Sequence, residues 1–180
     1  MIDIVCTALL YWMIINVVFI PIIVLLSIGY YTTNYGYSYK VKIDIVQFLL
    51  PYQLGKFGSI SWVILFAPFF EEVVFFGIPS LFGYDYMVLG LICWASVHVA
   101  RAMYIYSGLP RWRYIATTIV VILYFICSGM LSLWLWSRGY GLLSIALHSL
   151  HNSLCVLGTV VGSQLMKPKY VHATRRKYWI

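Results

Sequence analysis

Between Ile60 and Phe82 the chain reads ISWVILFAPFFEEVVFFGIPSLF. Apart from two adjacent glutamates, Glu71 and Glu72, this is an unbroken apolar run. Its length suits a membrane-crossing helix, which needs about 20 apolar residues. Four more runs of the same kind flank it, at about Ile4–Tyr31, Tyr86–Tyr106, Tyr114–Trp136 and Tyr140–Met166. Of the 180 residues 63% are hydrophobic and 9% charged, and the mean hydropathy is +0.90. A soluble domain carries about 25% charged residues, so that class is excluded, and disorder with it. A transmembrane β-barrel would show segments of about ten residues with alternating polarity. The sequence therefore predicts an all-α, polytopic transmembrane helical bundle of about five spans, in one integral membrane domain covering residues 1–180.

The first run has no positive charge before it and no A-x-A site after it, so it reads as a span rather than a signal peptide. Pro21 is expected to kink it. The stretch between the first two spans is polar, with an apolar side over Ile43–Tyr52 that suits the membrane interface. Gly83-Tyr84-Asp85, the loop Ser107–Arg113 and Ser137-Arg138-Gly139 separate the remaining spans. Gly158 and Gly162 suit close helix packing in the fifth.

The formal charge is +7. Five spans put Lys40, Lys42, Lys56, Arg111, Arg113, Lys167, Lys169, Arg175, Arg176 and Lys177 on one side and only Arg138 on the other. By the positive-inside rule the N-terminus is expected outside and the C-terminus, with a basic tail over residues 167–180, in the cytoplasm. The tail serves as a topology anchor or meets anionic membrane lipid. No basic stripe interleaved with aromatics argues for nucleic acid. Tyr30, Tyr31, Tyr84, Tyr86, Tyr104, Tyr106, Trp134 and Trp136 sit near span ends and read as an aromatic belt. Cys6, Cys93, Cys127 and Cys155 lie in apolar runs without a CxxC pair and read as buried reduced thiols.

The ionisable residues inside the spans are few. On insertion scales each such group costs on the order of 2.5–3.5 kcal/mol near the helix centre. The second span holds Glu71 and Glu72, the third His98 and Arg101, the fifth His148, His151 and Asn152; Asn16 is the comparable polar residue in the first. His148, His151 and Asn152 stand at i, i+3, i+4 and share a face. Glu71 and Glu72 are about 100° apart on a helix, so only one need point straight into the bundle. Counted at 1.5 Å per residue, Glu71, His98 and Asn152 fall near mid-membrane.

A carboxylate beside an imidazole in a wet cavity can hold and deprotonate a water. An imidazole or amide opposite can stabilise the oxyanion formed when that water attacks an amide. Cys93, five residues before His98, is a weaker nucleophile candidate. No HExxH or Glu-x-x-His pair is present, although His148 and His151 with Glu71 are a candidate single-metal set. Arg101 is a candidate partner for one glutamate, because an unpaired buried charge is expensive; snorkelling to the interface is its alternative.

Glu71-Glu72, then Trp94-x-x-x-His98, then His148-x-x-x-Asn152, on three successive motif-bearing spans, resembles the pattern of the CPBP intramembrane proteases. That family comprises the CAAX prenyl-protein endopeptidases and prokaryotic relatives, some linked to bacteriocin processing or self-immunity. The resemblance covers about residues 60–160 and implies a four-helix catalytic core. It implies that Glu71 activates water together with His98, that His148 and Asn152 stabilise the oxyanion, and that Glu72 orients the site. It implies no organic cofactor. The substrate would be a peptide or lipid-modified protein tail. Family members can be larger than five spans, which leaves room for a homo-oligomer. Two positions depart from the pattern: the arginine of Glu-Glu-x-x-x-Arg is Phe76, and the usual Phe of the second motif is Trp94. The first departure also fits a relative that binds without cleaving, as an immunity protein would. A membrane metal-binding or transport protein is a third reading.

Overall fold

The structure, a computed structural model, describes residues 2–27 and 61–165, with side chains up to residue 157. The interfacial segment around Ile43–Tyr52, the Gly158/Gly162 pair and the basic tail lie outside the described residues. The described chain is helical: α1 (Ile2–Ser27), α2 (Trp62–Ser80), α3 (Tyr84–Tyr106), α4 (Arg111–Ser137) and α5 (Gly141–Leu165). The first four are long and apolar enough to cross a membrane, and α5 is apolar over Gly141–Leu157. Their limits agree with the expected spans to within a few residues, and α1 runs through Pro21 without a break.

The outside of the bundle is apolar and the inside partly polar. Leu25, Leu65, Leu89, Ile119 and Leu157, one from each helix, are exposed, while Glu72, Thr117, Ser132 and Ser144 are buried. This distribution suits a hydrocarbon solvent, in which the outer face needs no polar groups and interior polar groups must find one another. Trp94, Phe76, Met87 and Leu133 form one core cluster; Ala8, Leu135 and Leu147 form a second between α1, α4 and α5. Cys6, Cys93 and Cys155 are exposed and only Cys127 is partly covered, which corrects the expectation of buried thiols. A thiol is apolar enough to stand on such a surface.

Helix α2 is interrupted twice, and its prolines explain where. Trp62–Phe66 and Val73–Gly77 are π-helical, with i→i+5 bonds from Ala67 N–H to Trp62 O and from Ile78 N–H to Val73 O. Pro68 and Pro79 carry no N–H and would clash with the carbonyls of Ile64 and Phe75, four residues earlier. Each of those carbonyls sits at the centre of a widened turn, which relieves the clash. The two turns bracket Glu71 and Glu72.

The freed Phe75 carbonyl also sets how α2 meets α3. A Cβ at Gly90 would overlap the Phe75 oxygen. Backbone cannot rotate away as a side chain can, so only glycine allows this approach. Gly90→Val is expected to force α2 and α3 apart and to destabilise the protein by at least about 1–3 kcal/mol. Thermal unfolding in detergent measures this; an unchanged midpoint would contradict the close approach.

Candidate active site

Helix α2 packs against α3, α4 and α5, and its two glutamates point to different neighbours. Adjacent residues on a helix diverge by about 100°, so a helix lodged in the groove between others can bury both. The sequence required only one to face inward; both do.

Glu72 is 1% exposed and turns to α4 and α5. Ser132 Oγ donates to Oε1 at 2.9 Å, Trp136 Nε1 to Oε2 at 2.9 Å, and Ser144 Oγ to Oε2 at 2.8 Å. His148 Nδ1 completes the set at 3.2 Å from Oε1. Four donors on two oxygens match the acceptor capacity of a carboxylate. The Trp136 ring reaches this position because Gly77 and Gly141 leave room for it: a Cβ at either would strike the ring.

This arrangement corrects two expectations. Arg101 was a candidate partner for a glutamate, but it is exposed on α3, and among the described residues it makes no ion pair with Glu71 or Glu72. Hydroxyls and an indole satisfy Glu72 instead, so a guanidinium is not needed. Trp136, taken for part of the aromatic belt, is a hydrogen-bond donor to this carboxylate. Phe76, at the motif's arginine position, is fully buried and meets Trp94 edge-on with ring centres 6.1 Å apart.

Glu71 turns toward α3. Its Oε2 accepts from Trp94 Nε1 at 3.1 Å and lies 3.2 Å from His98 Nε2 and 3.7 Å from His148 Nε2. The tautomers follow from the acceptors. His98 Nδ1 is 2.9 Å from the Trp94 carbonyl oxygen, which can only accept, so Nδ1 carries a hydrogen. His98 Nε2 then faces Glu71 Oε2 either as a lone pair or with a second proton. At 3.2 Å the contact is attractive only when one proton lies between them. His148 repeats the pattern: Nδ1–H is committed to Glu72, and Nε2 is aimed at Glu71. One carboxylate oxygen is thus flanked by two imidazole nitrogens whose opposite edges are fixed.

Asn152 lies one turn beyond His148 on α5. Its Nδ2 donates to the Val63 carbonyl at 2.8 Å. Val63 has lost its own helical partners, because Ala67 N–H is drawn to Trp62 O and Pro68 has no N–H. Asn152 therefore caps the first widened turn of α2 with one amide hydrogen and keeps a second. His151, although on the same stretch of helix, turns away to Asn16 Oδ1 at 2.9 Å and to the Tyr124 hydroxyl at 3.2 Å. The set of Glu71, His148 and His151 considered for a metal is therefore split between two clusters. Among the described residues no group of three His, Cys, Asp or Glu side chains is arranged to hold a metal ion.

A cavity of about 480 Å³ joins these groups. Glu71, His98, His148 and Asn152 line it, with Arg101 and Tyr124 also in its wall. The side chains of Glu71, His98 and His148 keep 29%, 17% and 13% of their exposure, so none of the three is sealed in the packed interior. Sequence reasoning missed Ser132, Ser144 and Tyr124 as parts of this polar interior. The signal for the serines was their place in apolar spans, where a hydroxyl usually bonds its own helix.

No protein-family model matches the chain, and neither a curated protein nor a solved structure shows significant similarity to it.

Proposed function

We propose that this protein is an intramembrane endopeptidase that hydrolyses a peptide bond with a glutamate- and histidine-activated water. The observation that carries the reading is the convergence of Trp94 Nε1, His98 Nε2 and His148 Nε2 on Glu71 Oε2 at the wall of the cavity. A water bound there loses a proton to the Glu71–His98 pair as its oxygen attacks the peptide carbonyl carbon. The oxyanion is met by donors from α5: protonated His148 Nε2, held in orientation by Glu72, and the second amide hydrogen of Asn152. The proton returns to the leaving nitrogen as the C–N bond breaks. None of these steps uses a covalent enzyme intermediate.

The resemblance of Glu71-Glu72, Trp94–His98 and His148–Asn152 to the CPBP protease motifs supports the same reading. Phe76 in place of the motif arginine is compatible with it, because Glu72 has its full complement of partners from α4 and α5. The substrate class is a peptide or lipid-modified protein tail that reaches the cavity from the cytoplasmic side or laterally. Purified protein in liposomes, given a library of membrane-bound peptides, is expected to release fragments. His98→Ala is expected to lower that release by about 10²–10⁴-fold, the usual contribution of a general base. Release at the parent rate would overturn the proposal.

The charge distribution supports an N-terminus outside and a C-terminus in the cytoplasm. Reporter fusions at both ends are expected to show activity on opposite sides of the membrane. A cytoplasmic N-terminus would contradict this orientation.

A further inference from the structure

The wall of the cavity carries a charge that the steps above do not use. Arg101 stands on α3 three residues beyond His98, on the same face, and both line the cavity. A guanidinium does not give up its proton in a protein, so this charge is permanent. A permanent charge in a membrane-spanning segment is costly, and such residues pair with another group or mark a ligand path. The acids of the same wall are Glu71 and Glu72, and both are engaged elsewhere. Glu72 accepts from Ser132, Trp136, Ser144 and His148, and Glu71 Oε2 faces Trp94, His98 and His148. Among the described residues no carboxylate lies within ion-pair distance of Arg101.

The place of Arg101 on α3 indicates what it meets. At 1.5 Å per residue it lies about 4.5 Å along the helix from His98. A peptide whose scissile carbonyl sits at Glu71 and His98 advances about 3.3 Å per residue when extended, so the long Arg101 side chain reaches groups within about three residues of the cleaved bond. A guanidinium matches a carboxylate with two parallel N–H···O bonds, which a single amide oxygen cannot accept in the same way. Around it the wall is largely apolar, with Trp12, Ile15, Trp62 and Phe70.

We propose that Arg101 determines specificity by pairing with a carboxylate of the substrate. The preferred substrate is then an apolar peptide that bears one carboxylate within about three residues of the scissile bond. Either an acidic side chain or the peptide's own C-terminus supplies it. This inference rests on the peptidase reading for which bond is cut, and adds which peptides are chosen.

Full-length protein in phosphatidylcholine liposomes, which carry no net charge, is given variants of one apolar peptide. In one set a single glutamate is moved along an amidated peptide; in matched sets glutamine or lysine takes its place. A last set carries glutamine and ends in a free carboxylate at successive truncations. The best-placed carboxylate is expected to raise kcat/KM at least about fivefold over its glutamine or amidated counterpart, the discrimination available to an ion pair that still touches solvent. The set that shows it distinguishes a side chain from a C-terminus. Arg101→Gln is expected to bring that ratio to about one, and Arg101→Glu to shift the preference to lysine. Equal kcat/KM for all sets in the parent protein would overturn the proposal, whether or not the variants fold. A carboxylate preference that survives Arg101→Gln would also overturn it. Binding of the same peptides, fluorescently labelled, to the Glu71→Gln protein separates this failure from that of the peptidase reading. Carboxylate-selective binding with no hydrolysis by the parent removes the peptidase and keeps the Arg101 site, whereas hydrolysis without carboxylate selectivity does the reverse.

Discussion

Glu71→Gln is expected to reduce peptide hydrolysis by about 10²–10⁴-fold, the loss typical of removing a general base. The glutamine side chain keeps the shape of the glutamate and can still accept from the Trp94 indole, so the bundle is expected to retain its unfolding midpoint in detergent. What it loses is the ability to take a proton. His98, whose Nδ1–H is held by the Trp94 carbonyl, then has Nε2 facing an amide instead of a carboxylate. The comparison is made on cleavage of the same membrane-bound peptides by matched amounts of folded protein. Hydrolysis at the parent rate would remove the glutamate mechanism. A cellular effect that persists in this variant would favour a non-catalytic immunity or binding role.

Glu72→Leu is expected to act on stability first. The carboxylate accepts from Ser132, Trp136, Ser144 and His148, and three of the four donors are neutral side chains with no other acceptor among the described residues. An apolar replacement leaves those donors buried and unsatisfied. A buried donor left without its acceptor typically costs about 1–3 kcal/mol. Thermal unfolding in detergent is expected to show a loss of that size, with a smaller one for Glu72→Gln, which preserves an acceptor. His148 also loses the contact that fixes its ring, so hydrolysis should fall in Glu72→Gln even where the fold survives. A Glu72→Leu variant as stable as the parent would mean that these four contacts do not hold the bundle together.

The helical architecture was legible because span length and apolarity act locally: the runs around Ile60–Phe82 and Tyr114–Trp136 end where turns and charges end them. The polar residues of the interior were legible as well, since Glu71, His98 and His148 are expensive in hydrocarbon and had to meet something. Their partners were less so. Ser132 and Ser144 resemble any hydroxyl in a span, and Trp136 sits at a helix end where an interfacial aromatic is ordinary. Nothing in their spacing indicates that Gly77 and Gly141 make room for that indole beside Glu72. The pairing of His151 with Asn16 spans 135 positions, and its helical neighbour His148 pointed to the other cluster. Arg101 was one candidate partner for a glutamate, with snorkelling to the interface as its alternative. The partners were donors of hydrogen bonds rather than charge. Pro68 and Pro79 were visible in the sequence, yet the consequence lay in tertiary structure: one freed carbonyl is capped by Asn152 and another is received by Gly90.

Hydroxyl-radical footprinting of the protein in lipid nanodiscs tests the central claim most directly, because the radicals form from water and modify side chains that water touches. Oxidation is expected at His98 and His148, which line the cavity, with Phe76, fully buried in the apolar core, left unmodified. Protection of both histidines to the same degree as Phe76 would contradict the account, since a carboxylate and imidazoles sealed from water have nothing to activate.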